Sequence, residues 1–362
     1  KNNLHWFAPS FDNNEKKSLS ELIKTNYLNE GSVTRDFEKK ISNFIGTKYA
    51  TATTSGTSAI ALSLMALGVK RDDEVLIPNF TFIATANAAK LVGAKVKFID
   101  INYENLNIDV KKIEKSITKK TKALITVDVN GRACEYQKIQ KICKKFNLKL
   151  ICDSAEALGS KYKKKYLGTF GDCGCFSFSA AKTLSTGQGG MIVTDNKRIK
   201  DKLFELKDQG RITRGTGGKD EHPGIGFNFK YTDLQATVGI QQFKKLRNRL
   251  IRIKKRNSLY RKFLKNTNLC IKEYDEGEIL QWFDIIIKNK KLKEQIKKKF
   301  ESLNIGYREF WNPVNSHNLY KKIKCFGNNS YEISKFGIWL PSNFDLSESD
   351  IRTVCDVIKS QI

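Results

Sequence analysis

Apolar positions change their period along this chain, and the changes mark a succession of helices and strands. Residues 57–67 carry Ile60, Leu64 and Leu67 at helical spacing, the buried face of a helix. The run Glu74-Val75-Leu76-Ile77-Pro78 is short, apolar and closed by proline, which predicts a strand. Residues 85–92 read as a helix stopped by Gly93, 95–100 as a strand, and 111–117 as a helix. Residues 123–129 read as a strand ended by Asn130-Gly131, 136–146 as a Lys-rich amphipathic helix, and 148–153 as a strand again. This β-α-β-α alternation predicts a mostly parallel central sheet covered by helices. Ligands of such sheets gather beyond the carboxyl ends of the strands.

The rhythm changes after residue 171. Residues 173–179 and 190–194 read as strands joined through a turn that holds Lys182. Residues 209–225, rich in glycine and charge, read as a long loop. A long helix is expected over 232–265, then a strand at 282–287 and helices at 291–302 and 348–360. With 362 residues the chain exceeds one small core. The expectation is a large unit at 1–250 and a smaller C-terminal α/β unit at 251–362, divided within the 232–265 helix.

A net charge of +27 raises the question of nucleic acid. Lysine supplies most of it and is spread over every region, often on amphipathic helices such as 291–299. That distribution describes a solvated basic surface, one that attracts an anionic substrate such as a sugar nucleotide, and no nucleic-acid partner is expected. The eight cysteines form no CxxC pair and there are three histidines, so the cysteines read as small buried hydrophobes and no metal site is expected. No run of about 18 uncharged apolar residues is present, so no membrane partner is expected. The first residues lack both methionine and the apolar run of a signal peptide. The numbering is therefore expected to omit an initiator, and the location to be cytoplasmic.

The chemistry concentrates at three places. An apolar, Phe- and Ser-rich segment, 176–181, runs up to Lys182, and the Gly-rich 187–190 follows. A lysine so tethered suits a Schiff base to an aldehyde cofactor, the more so if desolvation lowers its pKa. About 30 residues earlier Asp153 ends a strand, where an acid can partner the pyridinium nitrogen of pyridoxal phosphate. Thr53-Thr54-Ser55-Gly56-Thr57-Ser58 precedes the first predicted helix. Small hydroxyl residues and a glycine there make either a phosphate cup or an ordinary helix cap.

Six ordered motifs resemble the DegT/DnrJ/EryC1/StrS family of sugar aminotransferases over nearly the whole chain. They are Thr54-Ser55-Gly56-Thr57-Ser58-Ala59, 73–78 running into Thr81-Phe82-Ile83-Ala84-Thr85-Ala86-Asn87, Gly93-Ala94-Lys95-Val96, Asp153-Ser154-Ala155-Glu156-Ala157-Leu158-Gly159, the lysine stretch, and Gly226-Phe227-Asn228-Phe229-Lys230. The resemblance implies an aspartate-aminotransferase-like fold of type I and pyridoxal 5'-phosphate as cofactor, with pyridoxamine 5'-phosphate as its intermediate form. It makes Lys182 the Schiff-base lysine and proton shuttle, and Asp153 the partner of the ring nitrogen. Ser177, Ser55, Gly56 and Thr57 take the phosphate. Phe82 stacks on the ring, unless it is a plain core aromatic. Glu156 lies near the ring oxygen, where a carboxylate is either protonated or turned toward substrate. Asn228 reaches the phosphate of a neighbouring subunit, which implies a homodimer with shared active sites. Lys230 stands where the family often has arginine, so charge is kept and fork geometry lost.

For substrate, residues 307–315 occupy the place of the family's aromatic-Pro-x-His segment, with Asn315 where histidine is usual and His317 two residues on. Arg308 suits a diphosphate, and Phe310 or Trp311 a sugar or base, against the alternative of packing between units. Arg211, Arg214 and His222 of the 209–225 loop are further candidates. Residues 183–190 resemble the branch acting at sugar C4, as in perosamine synthases. The implied reaction moves an amino group from an amino acid, glutamate above all, to a keto-sugar nucleotide, with the product feeding a surface polysaccharide such as lipopolysaccharide. A keto-inositol or a keto eight-carbon sugar acid is an alternative acceptor. A dehydratase on the same scaffold is disfavoured, because those relatives replace the lysine with histidine.

Overall fold

The computed structural model describes residues 4–213 and 220–362. The chain opens with α1 (Asn13–Lys24), started by a reciprocal cap between Asp12 and Glu15, and α2 (Ser32–Ile45), stopped by the left-handed Gly46. Then come β1 (Tyr49–Thr53), α3 (Gly56–Ala66), β2 (Glu74–Pro78), α4 (Ala84–Leu91), β3 (Lys95–Ile99), α5 (Val110–Ser116), β4 (Thr121–Val127), α6 (Tyr136–Phe146) and β5 (Lys149–Asp153). A small hairpin, β6 (Lys161–Tyr162) and β7 (Lys165–Tyr166), leads to β8 (Cys173–Ser177), β9 (Gly190–Thr194) and α7 (Lys197–Lys207). The 32-residue α8 (Asp233–Leu264) is capped by Thr232 and Gln235. After it come β10 (Asp284–Ile286), α9 (Lys290–Ser302), β11 (Arg308–Glu309), α10 (Asn329–Phe336), β12 (Gly337–Trp339) and α11 (Glu348–Lys359).

The seven-stranded sheet runs β1-β9-β8-β5-β4-β2-β3. Only β9 is reversed, antiparallel to both β1 and β8, while the remaining pairs are parallel. Its central strands are nearly continuous apolar runs because helices cover both faces. The expected mostly parallel, helix-covered sheet is the one observed. A second sheet, β10-β12-β11, packs with α9 and α11 around Phe283, Ile285, Phe300 and Ile338. Leu4 pairs with Ile305, so the first described residues pack on this C-terminal part.

Three strands depart from the bounds that the apolar pattern predicts. β4 stops at Val127, and 129–131 turn through a left-handed Asn130. β8 stops at Ser177 as the chain enters the lysine turn. β10 begins only at Asp284, because the Trp282 N–H donates to the Asn130 side chain at 2.9 Å instead of to a strand. The eight cysteines are all free, and six are buried. Among the described residues no helix is long and apolar enough to cross a membrane.

Candidate active site

The ends of β1, β4, β5 and β8 converge on a cavity of about 340 Å³. Its lining includes Ser55, Gly56, Thr57, Phe82, Asp153, Glu156, Ser177 and Lys182 from the sheet side, and Trp282, Arg308 and Trp311 from the C-terminal part. Ten residues proposed from sequence therefore meet in one hollow, together with Trp282.

Ser55 caps α3: its hydroxyl accepts from the Ser58 N–H at 3.1 Å, and the Ser58 hydroxyl accepts from the Ser55 N–H at 2.9 Å. The ordinary cap and the anion cup are thus compatible. The cap satisfies Ser58, while the N–H groups of Gly56 and Thr57 lie in the first turn, where no intrahelical acceptor exists. Side-chain-free backbone is needed here. A Cβ on Gly56 would stand 2.9 Å from the Ser177 Cβ, and one on Gly190 would collide with the Ser55 carbonyl. Ser177, at the end of β8, is thereby pressed against the start of α3.

Asp153 ends β5 in full burial. The Thr85 hydroxyl donates to one oxygen at 2.7 Å and the Ala155 N–H to the other at 3.2 Å. Burial pushes its carboxyl up to about 6, with those two donors and Lys182 pulling the other way. Asp128, one residue beyond β4, also lines the cavity. Burial drives it up to about 7 although Ser154 donates to it at 2.6 Å and Tyr136 at 2.7 Å. Sequence reasoning passed over Asp128 by placing it inside a strand, yet an acid just past a strand's carboxyl end was the available signal.

Lys182 Nζ pairs with Glu156 Oε1 at 3.1 Å and lies 5.3 Å from the centre of the Trp282 ring. Glu156 therefore turns to the lysine. Its other oxygen accepts from the Asn130 N–H at 3.0 Å. The Asn130 side chain holds Trp282 by both backbone groups, and the Asn130 carbonyl accepts from the Gln281 N–H at 3.2 Å. Gln281 then grips both neighbours of the lysine: its amide donates to the Ala181 carbonyl at 2.9 Å and accepts from the Thr183 hydroxyl at 3.3 Å. Lys182, Glu156, Asn130 and Gln281 so form a closed ring holding the amine and the turn that carries it. Gln281 carried no motif, and the sequence marked Asn130 only as the turn that ends a strand.

Phe82 is 50 % exposed on the cavity wall, which rules out a plain core aromatic. Phe310 is core: it is buried against Phe80 and Trp339. Asn315 is buried outside the cavity, bonded to Asn79 and Tyr331, and His317 ends a short 3-10 turn there. Arg211 and His222 pair with Asp220 on an exposed loop that does not line the cavity of its own chain. Arg214 lies outside the described residues. Asn228 is exposed, and Lys230 is tied to Asp208 at 2.6 Å within its own chain.

The donor set fits a phosphorylated pyridine aldehyde: an N-terminal helix cup with hydroxyls, a buried carboxylate for the ring nitrogen, a lysine for the aldehyde and an exposed phenyl face. Fold and site together define a pyridoxal-phosphate-dependent enzyme. The chain belongs to the DegT/DnrJ/EryC1/StrS aminotransferase family, which matches residues 9–359. It is 32 % identical to a GDP-perosamine synthase of Escherichia coli O157:H7, covering 97 % of this chain and 96 % of that protein. It is also 32 % identical to a UDP-4-amino-4,6-dideoxy-N-acetyl-beta-L-altrosamine transaminase of Campylobacter jejuni serotype O:23/36, covering 97 % and 95 %. Its backbone superposes on Helicobacter pylori PseC, an aminotransferase involved in pseudoaminic acid biosynthesis, with a TM-score of 0.93 at 25 % identity over 99 % of both chains.

Proposed function

We propose that the chain transfers an amino group from glutamate to C4 of a nucleotide-linked 4-keto-6-deoxyhexose. The observation that carries this reading is the convergence of Lys182, Asp153 and the 55–57/177 cup on one cavity. The relatives' names, a GDP-perosamine synthase and a UDP-aminosugar transaminase, support the acceptor class. Bound pyridoxal phosphate supplies an electron-accepting ring that carries the amino group between the two substrates. The chain does the rest. Ser55, Gly56, Thr57 and Ser177 hold the phosphate. Asp153, ionised beside a cationic ring nitrogen, keeps that nitrogen protonated. Phe82 covers one ring face. Lys182 tethers the cofactor at rest and moves the proton at the donor's Cα. Glu156 holds the lysine amine in place when it is not tethered to the cofactor.

We further place the division between units within α8, as 1–250 and 251–362, and read the working form as a cytoplasmic homodimer in which Asn228 reaches the partner's phosphate. The exposure of Asn228 supports that role. A fully active monomer in sedimentation would overturn it. The product is assigned to surface-polysaccharide synthesis.

The test of the reaction is an absorbance titration of the protein with pyridoxal phosphate. A band near the visible edge should form, glutamate should bleach it, and one keto-sugar nucleotide should restore it. Restoration only by a keto-inositol or a keto eight-carbon sugar acid would move the acceptor outside the nucleotides. No band at all would end the aminotransferase reading.

A further inference from the structure

Behind the C-terminal wall of the cavity lies a cluster of hydrogen-bond donors that lack acceptors. Arg308 lines it, with its guanidinium carbon 5.1 Å from the Trp6 ring centre and 5.9 Å from that of Trp339. Trp6 packs on Trp282 at 5.1 Å, and Trp282 on Trp339 at 5.3 Å. The indole N–H groups of all three are buried without a hydrogen-bond partner among the described residues. Indole nitrogen only donates, so the buried indoles around Arg308 supply its guanidinium with no acceptor.

The carboxylates that should serve Arg308 are engaged elsewhere. Arg308 lies opposite Trp339 on β12, and Trp339 lies opposite Asp284, so the three stand in one row. Asp284 is taken by Arg132 through two bonds of 2.7 and 2.8 Å and by Asn130 at 2.8 Å. Glu309, the next residue, turns to Lys293 and Lys297. Arg308 makes no ion pair among the described residues, and residues 1–3 and 214–219 contain no Asp or Glu. A half-buried guanidinium without a counter-ion is costly unless a ligand provides one. Contact with two indoles limits its freedom without using its fork of N–H groups.

We propose that Arg308, oriented by Trp6 and Trp339, is the receptor for a substrate oxyanion, either a carboxylate of the amino donor or a phosphate of the sugar nucleotide. The proposal rests on the aminotransferase reading and adds to it the residue that selects anionic substrates. The cofactor phosphate is a separate matter, because its cup is on the opposite wall.

Steady-state kinetics of R308Q and R308K, with KM taken separately for glutamate and for the sugar nucleotide, test it. Losing a charge-assisted pair should raise the affected KM by about tenfold to a hundredfold. R308K, which keeps the charge without the fork, should fall between. A rise for glutamate alone identifies the carboxylate, a rise for the nucleotide alone identifies the phosphate, and a rise for both shows one receptor serving the two substrates in turn. Unchanged KM values in both variants, with the unaltered protein active, overturn the proposal and leave the aminotransferase reading intact. An unaltered protein that neither binds pyridoxal phosphate nor turns over overturns the reading itself. If R308Q folds poorly, R308K decides: a KM equal to that of the unaltered protein for both substrates sinks the receptor.

Discussion

The cavity has two walls of different construction. On the sheet side, the candidate groups come from three short stretches, 53–57, 153–156 and 177–182, each starting at the last residue of its strand, β1, β5 or β8. Parallel strands end side by side, so topology alone brings these stretches together. On the C-terminal side Trp282, Arg308 and Trp311 come from irregular segments and the edge strand β11. They are held by packing and by one buried asparagine. The first wall is local sequence presented by a sheet; the second is tertiary structure presenting scattered side chains.

Replacing Lys182 should have the largest effect, because the sheet wall has no second amine in reach. Lys182→Ala should lower turnover by about a thousandfold or more while pyridoxal phosphate still binds. Cofactor binding followed by absorbance and turnover by product assay separate the two. Turnover within tenfold of the unaltered protein would break the assignment of chemistry to this wall.

Asp153→Asn should follow, with turnover falling by about a hundredfold. It also carries a sign that distinguishes an active-site acid from a structural one. A carboxyl raised from 3.8 to about 6 in the folded state costs the cofactor-free protein stability. The cost is absent below the unfolded pKa, grows as pH rises toward about 6, and is complete above it, on the order of 3 kcal/mol. The cofactor-free variant should therefore melt higher than the unaltered protein at pH 8 and similarly at pH 4. Equal melting at both values would show that the buried charge is compensated.

The asymmetry of the walls explains what the sequence could reveal. Lys182, Asp153, Ser55 and Ser177 were legible because each sits in a contiguous motif whose chemistry is local. Phe310, Asn315 and His317 were legible only as residue types in the right neighbourhood. The backbone buries Phe310 against Phe80 and ties Asn315 to Asn79, more than 200 residues away, while Arg308 and Trp311 face the hollow. Six of the seven strands of the large sheet were readable from their apolar runs, and β1, with its alternating Thr and Ala, was not. α1, α2, α7 and α10 escaped, since their polar faces dominate the composition and α10 has only eight residues. Trp282 was read as strand, and only the Asn130 bond reveals why it leaves the ladder.

Gln281 is where the two walls touch, and its replacement sharpens the comparison. Gln281→Ala removes the grip on Ala181 and Thr183, while Gln281 itself lies outside the cavity lining. Turnover should fall by about tenfold through misplacement of the amine, with both KM values little changed. A pure KM effect would mean that the segment 279–284 serves substrate rather than the lysine.

The smallest effect is expected at His317, and it tests where the second wall ends. His317 closes a short 3-10 turn through its backbone N–H to Val314, and its ring is only half-buried outside the cavity. Surface substitutions away from special features stay within about 0.5 kcal/mol. His317→Ala should therefore leave both KM values within about twofold. Asn315→Ala, two residues earlier, should lower stability by about 1–2 kcal/mol through lost bonds to Asn79 and Tyr331, again with KM unchanged. Arg308 stands only seven residues before Asn315, so three neighbouring positions are predicted to respond in three ways: binding, stability and neither. A KM increase in His317→Ala would mean that the substrate wall extends beyond Trp311 into the 314–317 turn.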